Sequence, residues 1–163
     1  RRRKPVPQSA RLSVLLHSEW RARQLCELAS MVDVTVSQET PDDNSWLVRM
    51  EGPALLPVAQ EWTKGAVKTV PAQWRLSDRA LQVWALVAGV LDESGMCFGL
   101  DAHIAQHEEL RKRAAEALQK LGAASSYVGP RAGGPALRVV GQRRLANVMT
   151  IVGEPPEDGS WDA

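Results

Sequence analysis

Hydrophobic and polar positions follow two different periods along the chain, and together they predict a fold that mixes helices and strands. Apolar residues recur at helical spacing over residues 78–95, with Ser77 as the predicted N-cap. Apolar and polar residues alternate over residues 34–37, and a second apolar stretch follows at 46–50, as in half-buried strands. The same criteria predict further strands at residues 12–16, 96–100, 124–128 and 136–140, and further helices at residues 19–31, 54–62, 108–121 and 142–152.

The predicted elements form two similar halves. When the numbering is shifted by about 90, Leu28 falls on Leu118 and Met50 falls on Val140. Each half is predicted as strand–helix–strand–strand–helix, which indicates an α/β (α+β) fold built from two pseudo-symmetric repeats. The predicted organisation is a basic arm at 1–10, a first repeat at 11–64, a linker at 65–76, a helix plus the second repeat at 77–153, and an acidic tail at 154–163.

The helix before the second repeat is predicted to end in the segment Val-Ala-Gly-Val-Leu-Asp-Glu-Ser-Gly, residues 87–95. Its small pair, Ala88 and Gly89, would let a second helix approach closely, and its carboxylates would project from the end of the packed pair. This degenerate segment resembles the LAGLIDADG motif of homing endonucleases, in which two such helices pack side by side and present acidic residues to Mg²⁺ and DNA. The order of the elements is also similar to that family, and residues 136–148 resemble its last strand and helix.

The resemblance implies a saddle-shaped mixed sheet, backed by helices, that lies across nucleic acid. Three features of this chain differ from the family pattern. Ser94 stands where the motif has its second metal-binding acid, and residues 1–10 cannot form a second motif helix ahead of the first repeat. Each half also has one predicted leading strand where the family has two.

These differences bear on catalysis. Metal-assisted cleavage of a phosphodiester needs carboxylates that hold a divalent metal ion and activate water. The resemblance would assign that role, with Mg²⁺, to Asp92 and Glu93, but Ser94 supplies no anionic oxygen. We therefore expect a non-catalytic nucleic-acid-binding domain derived from a LAGLIDADG-type endonuclease, with no cofactor. A metal-dependent DNA endonuclease is the catalytic alternative.

The distribution of charge is more informative than its sum, because the chain has 20 Lys and Arg against 19 Asp and Glu. Basic residues on an arm, on strands and in turns are placed to contact phosphates. The expected contacts to DNA or structured RNA are Arg1, Arg2, Arg3, Lys4, Arg49, Lys64, Lys68, Arg131 and Arg138. Trp46 and Tyr127 are candidates to stack on unpaired bases. Because the family's helices lie away from DNA, another surface is expected for Arg111, Lys112, Arg113, Arg143 and Arg144.

The cysteines and the hydropathy of the chain indicate the kind of cellular compartment in which the protein is expected. Cys26 and Cys97 lie in apolar runs and are predicted to be buried free thiols in an intracellular, reducing compartment such as the cytoplasm or an organelle matrix. No run approaches the ~20 apolar residues that a membrane crossing needs. Trp161, in the acidic tail, is expected to dock back onto the fold.

Two other interpretations remain open. A winged helix would use residues 108–121 as the recognition helix and 125–140 as the wing, again for nucleic-acid binding. Alternatively, the chain is a protein–protein or assembly subunit of a large ribonucleoprotein complex such as a ribosome. Six Trp against one Phe and one Tyr favour that interpretation, because Trp is enriched at interface hot spots. Nucleic-acid binding should weaken steeply with salt, and a Trp-centred interface much less.

Overall fold

The computed structural model describes residues 6–162. Within that range it contains six α-helices and three small antiparallel sheets, so the predicted α+β class is confirmed. The chain divides into two compact units, residues 1–61 and residues 62–163. Each unit is described by itself below.

The first unit is a three-stranded sheet with a helix packed on one face. Its elements are β1 (Ala10–Leu16), α1 (Glu19–Ser30), β2 (Thr35–Asp42), β3 (Ser45–Gly52) and α2 (Leu56–Trp62), which ends just past the boundary of the unit. β3 lies between β1 and β2 and is antiparallel to both. Alternation along β3 buries Val48 and Met50, and α1 contributes the buried side chains of Leu25 and Ala29 to the same core.

The second unit combines a small hairpin, a four-stranded sheet and four helices. The hairpin pairs β4 (Thr63–Lys64) with β5 (Val67–Lys68). The other elements are α3 (Asp78–Ala88), β6 (Gly89–Asp92), β7 (Gly95–Gly99), α4 (Ala102–Gln106), α5 (Glu108–Lys120), β8 (Ser125–Val128), β9 (Ala136–Val139) and α6 (Gln142–Val152). The larger sheet has the order β6-β7-β9-β8, with antiparallel pairing throughout.

Alternate positions of the two inner strands form the core of the second unit. Met96 pairs with Val139 and Phe98 pairs with Leu137, and all four side chains are buried. Fully buried side chains from the surrounding helices are Leu81 of α3, Leu118 of α5 and Val148 of α6. The period-2 pattern of β7 and β9 therefore meets the helical stripes of three amphipathic helices.

Three tryptophans extend this core as a chain of ring contacts. The ring centroids are 4.8 Å apart for Trp62 and Trp74, 5.8 Å for Trp74 and Trp84, and 5.2 Å for Trp84 and Phe98. Trp84 Nε1 also donates a hydrogen bond of 2.9 Å to the Gly99 carbonyl. These three of the six tryptophans thus contact one another or Phe98 within the second unit, where each is half-buried.

The acidic tail is fixed by Trp161, as the sequence predicts. The Trp161 side chain is buried, and its Nε1 donates to the Gly153 carbonyl at 3.1 Å. The Trp161 carbonyl accepts a 2.8 Å hydrogen bond from the Leu91 amide of β6. The tail therefore pairs one backbone amide on the free side of an edge strand.

The prediction of a helix that continues to residue 95 is wrong. Ser77 does cap α3, since its Oγ accepts from the Ala80 amide at 3.1 Å, but the helix ends at Ala88. The chain turns at residues 93–94, where the Asp92 carboxylate accepts from the Ser94 amide at 2.7 Å. Gly95 follows with φ +137, a conformation that side chains disfavour. An Asp-closed turn before a positive-φ glycine makes a hairpin, and its ladder outweighs the apolar helical spacing.

The expected single mixed sheet is also wrong. All strand pairs among residues 6–162 are antiparallel, and they belong to three separate sheets. In the first unit, α1 does connect two strands that run in the same direction, β1 and β2, but β3 lies between them and pairs with both. The winged-helix alternative stays a prediction for the second half, where α5 is followed by the antiparallel pair β8–β9, and it does not account for the first unit.

The hairpin at Gly95 gives a direct test of the revised boundary. A Cβ on residue 95 would overlap the Val139 carbonyl oxygen of the neighbouring strand, and φ would remain strained. We expect Gly95→Ala to lower the free energy of unfolding by roughly 2–4 kcal/mol, measured by chemical denaturation. Gly65→Ala is the matched control, because its φ is +64 but no atom lies within 4 Å of the added Cβ; about 1 kcal/mol is expected. Equal losses would contradict the hairpin.

Candidate nucleic-acid interface

Arg49 lies at the middle of the central strand of the first unit. Its cross-strand neighbours are Ser13 on β1 and Ser37 on β2, and β3 alternates so that Arg49 points to the opposite side of the sheet from the buried Val48 and Met50. This face of the sheet is called the Arg49 face; its residues are Arg11, Ser13, Ser37, Glu39, Arg49 and Glu51. Small hydroxyl residues beside an arginine leave its guanidinium accessible from solvent.

Carboxylates balance the cations of the Arg49 face. Arg49 donates to Glu39 at 2.5 Å, and their side chains are 39% and 53% exposed. Arg11 donates to Glu51 at 3.0 Å, directly across the β1–β3 ladder. A phosphate that approaches this face must compete with Glu39 and Glu51 for the two guanidinium groups. The face is therefore suited to selective contacts more than to strong non-specific attraction.

Arg138 lies on an inner strand of the larger sheet of the second unit. It lies on β9 between Cys97 of β7 and Ser126 of β8, on the opposite side of the sheet from Leu137 and Val139. We call this side of the sheet the Arg138 face; its residues are Val90, Cys97, Ser126 and Arg138. As in the first unit, an arginine of a central strand has small polar residues on both neighbouring strands.

The Cys97 thiol holds the Arg138 side chain in place. Arg138 Nε donates to Cys97 Sγ at 3.3 Å. This hydrogen bond, together with the charge interaction with Cys97 and that with Asp92, raises the pKa of the Arg138 guanidinium. The hydrogen bond to Cys97 uses only the Nε–H group, so the other N–H groups of Arg138 can bind an anion.

The other sequence candidates lie elsewhere. Lys64 and Lys68 are on the separate β4–β5 hairpin, where Lys68 Nζ donates to Asp101 at 2.6 Å. Arg131 is exposed in the turn between β8 and β9 and has no hydrogen bond or ion pair to any other residue in the 6–162 range. Candidates Arg1, Arg2, Arg3 and Lys4 fall outside the described residues. Among the described candidates, Arg49 and Arg138 therefore lie on sheet faces. Lys64, Lys68 and Arg131 lie on other surfaces.

The two aromatic candidates for base stacking pack against other parts of their own units. Trp46 lies opposite Leu16 in the β1–β3 ladder, on the same side of the sheet as Val48, and is half-buried. Tyr127 lies in the Phe98–Leu137 row, away from the Arg138 face, and the Arg111 guanidinium covers its ring at 4.4 Å. Base stacking on Tyr127 would require Arg111 to move.

The carboxylates proposed for catalysis are turn residues. Asp92 closes the β6–β7 turn, and Glu93 is exposed within it. Across residues 6–162, no three His, Cys, Asp or Glu side chains come close enough together to hold a metal ion. His103 and His107 do stack, with ring centroids 4.3 Å apart, but they remain a pair.

The sequence pattern did not identify Glu39 and Glu51, the acidic partners of Arg49 and Arg11 on the Arg49 face. Glu39 shares the alternation of Ser37, and Glu51 shares that of Arg49, so the period-2 pattern places them on this side of their strands but does not show which cations they pair with. Both cysteines are free thiols, as predicted, but each is half-buried where full burial was expected. None of the helices between residues 6 and 162 combines the length and apolar character that a bilayer crossing requires.

Comparison of the chain with protein-family models and with curated proteins found no match.

The Lys68–Asp101 contact predicts a pH effect. Partial burial acts to raise the pKa of Asp101, but the hydrogen bonds from Lys68 and from the His103 amide outweigh it, so this pKa lies below its ordinary value. The resulting stabilisation is present above the unfolded pKa of about 3.9 and is lost as pH falls through the folded pKa.

We expect Asp101→Asn to lower the free energy of unfolding by about 0.5–1 kcal/mol at pH 7, because Lys68 is largely exposed. Asparagine retains the cap on α4 and removes only the charge. The difference from the wild type should shrink below about pH 3 in denaturation experiments. A loss that is independent of pH would contradict this assignment.

Proposed function

We propose that this chain is a non-catalytic nucleic-acid-binding domain, derived from a LAGLIDADG-type endonuclease, that contacts DNA or structured RNA through the Arg49 and Arg138 faces. One observation carries the proposal. In each unit an arginine of a central strand lies between small polar residues on both neighbouring strands, Ser13 and Ser37 in one and Cys97 and Ser126 in the other.

The strand orders support the proposed repeat. β1-β3-β2 in the first unit and β7-β9-β8 in the second both place the last strand between the other two. The second unit also has two leading strands, β6 and β7, which is the number that the family resemblance implies. Two pseudo-symmetric repeats remain part of this proposal, but the single sheet that would join them does not.

The chemistry of the two faces fits nucleic acid. A guanidinium group donates two parallel hydrogen bonds to a phosphate, or to O6 and N7 of guanine in the major groove. Serine hydroxyls beside it add short contacts to phosphate or sugar oxygens. Because Glu39 and Glu51 oppose non-specific attraction, the bound state gains most where a nucleic acid matches the positions of the arginines.

The position of Asp92 favours binding without cleavage. Its carboxylate already accepts the Ser94 amide in the β6–β7 turn, and Ser94 itself offers only a neutral hydroxyl. A metal-dependent endonuclease would need further anionic ligands at this turn. The two free thiols, Cys26 and Cys97, agree with the intracellular, reducing compartment that we propose.

An assembly subunit of a ribonucleoprotein complex is the second candidate. The exposure of an apolar residue favours it: Leu15 is 53% exposed, on the same side of the first sheet as the Arg11–Glu51 and Arg49–Glu39 ion pairs. In each of these pairs the two charges cancel. A protein partner could cover such a surface without replacing counterions. Salt dependence separates the two candidates, since only a nucleic-acid complex should weaken steeply as salt rises.

The first test removes each sheet-face arginine. We expect Arg49→Gln and Arg138→Gln each to weaken binding to a labelled duplex or hairpin by about three- to tenfold. Each should also reduce the slope of log affinity against log salt by about 1. Fluorescence anisotropy at several salt concentrations measures both quantities. The matched control is Lys112→Gln, which makes the same change of charge at an exposed position of α5. Equal effects of all three variants would refute the proposal.

The second test uses the acidic partner. Because Glu39 holds Arg49, Glu39→Gln should free the guanidinium and strengthen nucleic-acid binding by about threefold at low salt. Glu27→Gln, on the exposed surface of α1, controls for the general change in charge. Weaker binding by Glu39→Gln would show that the ion pair supports the site by holding Arg49 in position, and the competition described here would be wrong.

A further inference from the structure

A groove opens in the second unit between the end of α5 and the beginning of α6. Its volume is about 530 Å³, within the range of small-molecule sites. The lining residues that argue for a ligand are Gln119, Gln142, Arg143, Arg144 and Asn147. None of them belongs to the Arg49 face or the Arg138 face.

The position of Asn147 gives the groove a defined wall. Asn147 Nδ2 donates to the Gly122 carbonyl at 3.4 Å, so the turn after α5 is joined to the second turn of α6. Gly122 has φ +77, and a Cβ there would lie 2.9 Å from Asn147 Nδ2. The positive φ of Gly122 requires a glycine after α5, and the hydrogen bond from Asn147 joins this turn to α6 at one side of the groove.

The charge of the groove is one-sided. Its lining includes two arginines and no carboxylate. In the part of the chain that the structure describes, neither Arg143 nor Arg144 has a hydrogen bond or an ion pair. Arg11, Arg49 and Arg113, by contrast, are each paired with a glutamate. Two arginines that line a cavity without a counter-charge make it complementary to an anion.

The hydrogen-bonding groups narrow the class of anion. Guanidinium groups bind phosphate through paired N–H donors, and two of them can contact three phosphate oxygens. The amides of Gln119, Gln142 and Asn147 provide both donors and acceptors, which suit a polar body attached to the phosphate. Val140 and Ala124 supply apolar contact at the remaining wall.

We propose that the α5–α6 groove binds a phosphate group carried by a ligand of about mononucleotide size. Arg143 and Arg144 contact the phosphate, and the amides contact the rest of the ligand. The phosphate can come from a small phosphorylated molecule or from the end of a nucleic-acid chain, and the experiment separates these two sources. The inference is independent of the proposed contacts at Arg49 and Arg138.

The test measures binding of pyrophosphate and of AMP to the full chain by calorimetry at constant ionic strength. We expect saturable binding that Arg143→Gln/Arg144→Gln weakens by at least about tenfold. Arg143→Lys/Arg144→Lys retains charge without the paired donors and should bind with intermediate affinity. The control is Arg75→Gln/Arg79→Gln, two exposed arginines that do not line the groove. Absence of saturable binding by the wild type, or equal losses in the control, overturns the proposal.

Measuring how the same variants bind oligonucleotides distinguishes the two sources of the phosphate, a small molecule and the end of a nucleic-acid chain. If Arg143→Gln/Arg144→Gln weakens binding only of oligonucleotides that carry a 5′-phosphate, the groove takes the end of a nucleic acid. If oligonucleotide affinity is unchanged while AMP binding is lost, the ligand is a small phosphorylated molecule. Failure of the Arg49 and Arg138 tests with intact AMP binding would refute the proposed function and leave this inference standing.

Discussion

The alternation of buried and exposed side chains along β3 and β9 is the constraint on which the structure depends. Each of these strands pairs with a neighbour on both sides, so its register is set twice. A shift by one residue would move Met50 or Val139 out of the core and bury Arg49 or Arg138. Because burying an unpaired guanidinium is far more costly than exposing one apolar side chain, the core and the polar faces determine each other.

Sequence periodicity predicted helices and strands correctly where either the helical or the strand period was clear. The helix at 108–121, the strand at 136–140 and the helix at 142–152 lie within a residue of α5, β9 and α6, because each has a single clear apolar stripe. The pattern failed at residues 89–95, where Val90 and Leu91 extend the helical spacing of α3 but pair with Cys97 and Met96 in a hairpin. A short apolar run fits both the helical period and the strand period. The Asp92–Gly95 turn was the signal that distinguished a hairpin from a longer helix.

The candidate site could be predicted only in part, for a different reason. Alternation along β3 and β9 was sufficient to place Arg49 and Arg138 on the exposed side of a strand. It could not show that Glu39 neutralises Arg49 or that Cys97 holds Arg138, since these pairs depend on which strands are neighbours. Strand order is a long-range property, and both sheets place their last strand in the middle. The helix-borne Arg143 and Arg144 illustrate the same limit, because the groove arises from the approach of α5 to α6.

Ion pairing gives the basic residues of this chain different roles. Where a carboxylate is adjacent, as for Arg11, Arg49 and Arg113, the charge of the guanidinium is largely compensated. Where none is present, as for Arg143 and Arg144, the charge remains available to an anion, and desolvation of that anion is offset by two guanidinium groups together. A chain of nearly zero net charge can therefore contain both a surface of compensated charges and a groove with an uncompensated positive charge, because the potential at a site depends on the local balance of charges.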